Sequence, residues 1–169
     1  MEGLMKRSAV ALLVLAGTSG SAFALDINVT GNVVASACDS EVVGGSGNTI
    51  NLGDIQATTL LSQNSQSPEK EFQINLKDCP VTTTGFVATF SGTAATANNT
   101  MFANGGTAGN VEIRMVDESG NSVVTNKTIS GSISSGGASI KLKTNAYSTQ
   151  GTASPGTIQG TVQVSFTYS

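Results

Sequence analysis

Histidine and tryptophan are absent from the 169 residues, and charge is scarce: eight Lys and Arg stand against eleven Asp and Glu. Without histidine there is no Ser-His-Asp triad and no common zinc site. With so few cations and a net charge of −3, there is no basic patch to hold nucleic acid. Cysteine occurs twice, at Cys38 and Cys79, with no C-x-x-C spacing, which argues against a thiol redox site or a zinc ribbon. The carboxylates are mostly single or on turn-like segments. Asp117-Glu118 is the one pair that suggests a weak cation site, and a solvated turn explains it better. The Gly-rich stretch Val43–Asn48 lacks the lysine of a phosphate loop and reads as plain loop. Nothing here points to catalysis, to a cofactor, to a metal or to a small-molecule substrate.

What is present begins with a leader. Lys6 and Arg7 precede an apolar run from Ala9 to Ala16, and Ala22-Phe23-Ala24 supplies an A-x-A cleavage pattern. The run is shorter than the roughly 20 residues that span a bilayer. Residues 1–24 are therefore expected to be a signal peptide, with Met5 an alternative start to Met1. Export removes Glu2, Lys6 and Arg7, leaving six basic and ten acidic residues in Leu25–Ser169 and a net charge of −4. That length suits one domain with its own core. Export also places Cys38 and Cys79 in an oxidising compartment, where a disulfide is the default and two buried thiols the alternative.

The exported part reads as all-β. Phe72, Ile74 and Leu76 alternate with Gln73, Asn75 and Lys77. The same period of two recurs at Phe86, Ala88 and Phe90, at Val111, Ile113 and Met115, and at Ile140 and Leu142 between lysines. Each pattern gives one face to a core and one to water, as in an antiparallel sandwich. Turn signals separate the runs: Asn104-Gly105-Gly106, Glu118–Asn121 and Ser134–Gly137.

Two strands have an unusual place in the chain. The last reads from Thr157 to Tyr168, with Ile158, Gly160, Val162, Val164, Phe166 and Tyr168 on one face and Ser169 just beyond. Such an element is expected to need a neighbouring strand, and no later segment is there to supply one. The other stands at the exported N-terminus, where Leu25, Ile27, Val29, Gly31 and Val33 share a face. Alternation alone leaves open whether this is an ordinary first strand. Gly31 is either a bulge or a place for close backbone approach, and Val162, Val164 and Phe166 are compatible with plain core packing.

These two segments together resemble a chaperone–usher pilin of the type 1 fimbrial family. Ile27 to Cys38, with Gly31 seven positions before the cysteine and the Val33-Val34 pair, is similar to the family's donor strand running into its first cysteine. Leu76-Lys77-Asp78-Cys79-Pro80 is similar to its second-cysteine strand. Gly156, fourteenth from the end, and the penultimate Tyr168 resemble the motif that a periplasmic chaperone recognises. Shorter stretches, Phe90-Ser91-Gly92, Asp117–Asn121 and Gly156–Gln159, are similar to the minor linker subunits of the tip fibrillum.

The resemblance implies an incomplete immunoglobulin-like sandwich lacking its seventh strand. It implies a signal peptide at 1–24, a donor extension at 25–35 and a pilin domain at 36–169. Leu25, Ile27, Val29, Gly31 and Val33 would complete a neighbour. Gly156, Ile158, Val162, Val164, Phe166 and Tyr168 would form the acceptor groove and the chaperone-recognition edge. The implied partners are a periplasmic pilus chaperone, an outer-membrane usher and neighbouring fimbrial subunits, in a cell-surface fimbria that supports adhesion. Two other functions compete. A tip adhesin of this family usually adds a lectin domain ahead of the pilin domain, and the leader is followed at once by the donor-like strand. A self-contained periplasmic β-sandwich binding module would fold alone as a stable monomer.

Overall fold

The computed structural model describes residues 30–32 and 36–169. The leader and the side chains of Leu25, Ile27, Val29 and Val33 lie outside the described residues. Residues 30–32 fall in a separate unit from the rest; they are exposed, without regular secondary structure.

From Ser36 onward the chain forms nine strands and one short 3-10 turn, Ala57–Leu60. The strands are β1 (Asp39–Val43), β2 (Ser65–Gln66), β3 (Lys70–Lys77), β4 (Gly85–Gly92), β5 (Phe102–Ala103), β6 (Glu112–Asp117), β7 (Thr128–Ser132), β8 (Ala138–Ser148) and β9 (Val162–Tyr168). They make two sheets. One has the order β1-β3-β8-β6-β5, with β2 also on β8; the other is β7-β4-β9. Every pairing between named strands is antiparallel.

Period-two alternation places the core. Ile74 and Leu76 from β3, Phe86, Ala88 and Phe90 from β4, and Ile140 and Leu142 from β8 interlock in one buried cluster. Their alternates Lys77, Val87 and Lys141 face water. The pattern weakens in β6, where Glu112, expected on the wet face, is buried at 5% exposure and accepts the Thr149 N–H at 3.0 Å. The reason lies in β8: beyond Lys143 both its faces are covered, so its neighbour β6 is covered there too.

One irregularity shapes this sheet. Between the pairs Gln66–Tyr147 and Lys70–Thr144, the three residues Ser67, Pro68 and Glu69 oppose only Asn145 and Ala146. This is a bulge, and it accommodates a proline that has no N–H for the ladder. Ser67 compensates. Its N–H donates to the Ala146 carbonyl at 2.9 Å and its hydroxyl oxygen accepts the Ala146 N–H at 3.1 Å.

Cys38 and Cys79 are joined by a disulfide, which ties the entry of β1 to the exit of β3. Ser134–Gly137 turns tightly, with Ser135 and Gly136 both in the left-handed region, as a two-residue hairpin requires.

Candidate functional site: the open edge of β9

Strand β9 pairs with β4 and, among the described residues, with nothing on its other side. The register sets Tyr168 opposite Phe86, Phe166 opposite Ala88, Val164 opposite Phe90, and Val162 opposite Gly92. The exposures across these pairs differ sharply. Phe86, Ala88 and Phe90 on β4 are buried at 5%, 0% and 1%. Val162, Val164, Phe166 and Tyr168 pack against the same core yet stay half-buried. One strand further along a continuous apolar face, the cover is gone. Phe166 meets Phe86 edge-on with ring centroids 6.5 Å apart and stacks on Tyr168 at 6.1 Å, so the rim is an ordered aromatic wall.

Among the described residues the backbone along that rim is also without a strand partner. Alternate residues of an edge strand point their N–H and C=O groups away from the sheet. Proteins usually protect such an edge with charge. The edge strand β1 does so with Asp39 and Glu41, the latter bridged by Lys77 at 2.6 Å. That bond and the lysine's charge hold the Glu41 carboxyl below its ordinary value. Strand β9 carries only Gln163, Ser165 and Thr167 on its outward face. It is long, uncharged and apolar on one side, the description of a strand that invites a partner.

Both ends of β9 are fixed. At its end the Ser169 carbonyl accepts the N–H groups of Thr84 and Gly85 at 2.7 and 3.0 Å, and Ser169 N–H donates to Gly85 at 3.0 Å. At its start the chain is held by the loop between β5 and β6. Thr157 and Gln159 offer their carbonyls to the N–H groups of Ala108 (3.0 Å) and Gly105 (2.7 Å). The Asn104 carboxamide oxygen accepts from Gly106 and Gln159, both at 2.8 Å. Asn104, read from the sequence only as part of a turn, thus anchors the approach to β9. Its position beside Gly105-Gly106 is the only signal that could have flagged it.

Gly156 belongs to this anchor. A Cβ there would collide with the backbone of Thr107 and Ala108, which cannot swing aside as a side chain can. Gly156→Ala is therefore expected to cost about 1–3 kcal/mol by overpacking. It should speed hydrogen exchange at the Gly105 and Ala108 amides while leaving β3 and β8 protected.

Not all the expected groove residues come together. Val162, Val164, Phe166 and Tyr168 form one row. Ile158 packs instead with Leu60, Val111, Ala146 and Ala153 in a second cluster. The regular strand starts at Val162, not Thr157, because the residues before it are held by the loop after β5 rather than by β4. Gly31 is exposed, and the rest of the expected donor row lies outside the described residues.

The Asp117-Glu118 pair is a turn. The Asp117 carboxylate accepts the N–H groups of Ser119 and Asn121, both at 2.9 Å, and the Asn121 amide. Burial pushes its carboxyl up, and these hydrogen bonds outweigh that push, leaving it below its ordinary value. Glu118 reaches out to Lys141 at 3.0 Å.

The described residues form a disulfide-tied antiparallel sandwich whose last strand is half-covered, the architecture of the pilin-type fimbrial subunits to which the chain is similar. The chain belongs to the family described as Fimbrial protein, whose model matches residues 27–169. It is 34% identical to Protein FimG of Escherichia coli K12 over 97% of this chain and 98% of FimG. It is also 34% identical to the S-fimbrial adhesin protein SfaS of Escherichia coli O6:K15:H31, over 88% of each chain. Among solved structures, the P pilus rod subunit PapA superposes with a TM-score of 0.66 at 16% identity, covering 79% of this chain and all of PapA. The protein is accordingly a structural subunit, exported and displayed in cell-surface fimbriae, and not an enzyme.

Proposed function

We propose that the subunit polymerises by donor-strand exchange. Residues 25–35 form the donor extension, residues 36–169 the accepting domain, and residues 1–24 a removed signal peptide. A periplasmic chaperone first covers the β9 edge, an outer-membrane usher receives the complex, and the extension of the next subunit then replaces the chaperone strand. Strand addition between chaperone and pilin is an established form of β-augmentation. The full-length similarity to FimG supports a linker position near the fibre tip.

The observation that carries this reading is the loss of cover between β4 and β9. A donor strand along β9 would complete the ladder and bury Val162, Val164, Phe166 and Tyr168. Burying Leu25, Ile27, Val29 and Val33 of the donor contributes roughly 1.5–3 kcal/mol each, enough together with the ladder to make dissociation extremely slow. Gly31 lets the two backbones approach.

The test is to produce Leu25–Ser169 with and without the cognate chaperone. Soluble subunit is expected only as a chaperone complex, with aggregation or proteolysis otherwise. A stable monomer recovered alone would point to the self-contained module instead. A point variant refines this. Tyr168→Ser removes the ring stacked on Phe166, a loss of about 1–3 kcal/mol of apolar contact. The expected result is a several-fold drop in chaperone complex by co-purification; wild-type yield would remove Tyr168 from the recognised edge.

A further inference from the structure

Among the described residues one apolar side chain is exposed far beyond the rest: Val81 at 99%, against 52% for Leu61 and 39% for Val43 and Val87. It does not sit on a slack loop. Cys79, two residues before it, is bonded to Cys38, and the Cys79 N–H donates to the Gly136 carbonyl at 3.0 Å. The Thr83 N–H closes the turn onto the Pro80 carbonyl at 2.9 Å, and Pro80 fixes its own φ. The Thr83 side chain, 3% exposed, donates to the Ser36 carbonyl at 2.9 Å. Val81 is thus a knob at the tip of a braced turn, and the brace is tied to the residue from which the N-terminal segment departs.

We propose that the Pro80–Thr83 turn is a second contact between consecutive subunits. Val81 packs against the fimbrial subunit that receives this chain's extension, at the mouth of that subunit's groove. The inference rests on the donor reading above. Its further step is geometric. If Val33 is the last residue seated in the neighbour, only Val34, Ala35 and Ser36 follow before the braced turn, and three residues span at most about 10 Å. The turn is bonded to Ser36, so it stays within reach of the neighbour's groove mouth whichever way the donated strand runs. A bare valine held there loses its hydration on contact. One strand threaded into a groove leaves the two domains able to swivel about the linker. A rigid contact beside the strand removes that freedom and fixes the angle between subunits.

The experiment uses the full chain, expressed with its fimbrial partners, and a photo-reactive phenylalanine derivative placed at Ile27, at Val81 or at Ser119. Fimbriae are sheared, purified and irradiated, and cross-linked peptides are sequenced by mass spectrometry. The expected result is that the Ile27 and Val81 probes capture the same fimbrial subunit. The Val81 probe should attach beside that subunit's groove, at a yield several-fold above the Ser119 probe. Capture from Ile27 with loss of signal at Val81 overturns the docking contact and spares the donor reading. So does a Val81 probe that attaches only within its own subunit. Absence of any cross-link from Ile27 defeats the donor reading, and the docking contact with it.

Discussion

Cys38→Ala combined with Cys79→Ala is expected to cost the subunit roughly 4 kcal/mol, the entropy that a loop of this length withholds from the unfolded chain. The two positions are 41 residues apart, and the loop between them contains β1, β2 and β3. The same bond also braces the Pro80–Thr83 turn and the start of β1, so the effect should not fall short of that loop term. A domain with an uncovered edge has little stability to spare, since single domains retain only about 5–15 kcal/mol in all. Urea unfolding of the chaperone-released, donor-peptide-complemented subunit would measure the loss as a lower midpoint, with a steeper slope because the uncrosslinked unfolded chain is more expanded. In cells the double variant should fall to proteolysis in the periplasm. Mass spectrometry of non-reduced wild-type peptides provides the companion check: a Cys38–Cys79 linkage within one chain is expected, and free thiols in exported protein would remove the basis of the argument.

How much of this was legible in the sequence follows from what each strand touches. Phe72–Lys77, Phe86–Phe90 and Ile140–Lys143 alternate because each has one face on the core and one in water, so their period of two is visible in the order of the residues. The second half of β8 gives no such signal. Thr144, Asn145, Ala146 and Ser148 are all buried; the Thr144 and Ser148 hydroxyls and the Asn145 amide N–H donate to the carbonyls of Arg114, Asn110 and Ser67, partners distant in the chain, while the Asn145 carboxamide oxygen has none among the described residues. The Ser67-Pro68 bulge is invisible for the same reason, since it exists only relative to Asn145 and Ala146. At the site, Val162 to Tyr168 could be read directly, because every second side chain of β9 packs against the core and the alternates face water. Ile158 continued that alternation by sequence alone, but the carbonyls of Thr157 and Gln159 are taken by Ala108 and Gly105 of the loop after β5, and its side chain packs in the second cluster. The place of β9 at the edge of its sheet, among the described residues, is a property of the sheet order that no local pattern contains.

Deleting Leu25–Val33 is expected to separate the two roles of the subunit completely. The accepting edge depends on β9, on its partner β4, and on the anchors at Asn104, Gly156 and Ser169, none of which lies in the deleted segment. The disulfide and the Thr83–Ser36 hydrogen bond also lie outside it. The truncated subunit should therefore fold, be recovered with chaperone at wild-type yield, and accept a donor strand normally. It should fail to enter the next groove, and so cap or abort the growing fibre. An ordinary first strand would behave in the opposite way, because its removal strips a ladder and part of the core. Ile27→Asp makes the same distinction with one residue. Seating that carboxylate in an apolar groove costs at least several kcal/mol unless it takes up a proton. At 1.4 kcal/mol per factor of ten, donation should fall by roughly a thousandfold or more while chaperone binding is unchanged. If the cost is that of an unpaired carboxylate, lowering the pH through the ordinary aspartate range should restore part of the exchange, since the neutral acid is far cheaper to bury. The paired measurements are recovery of the chaperone complex and the rate of strand exchange with a purified acceptor, for each variant. Loss of the chaperone complex together with exchange would return Leu25–Val33 to the subunit's own sheet. Normal exchange by the Ile27→Asp protein would exclude the segment from polymerisation altogether.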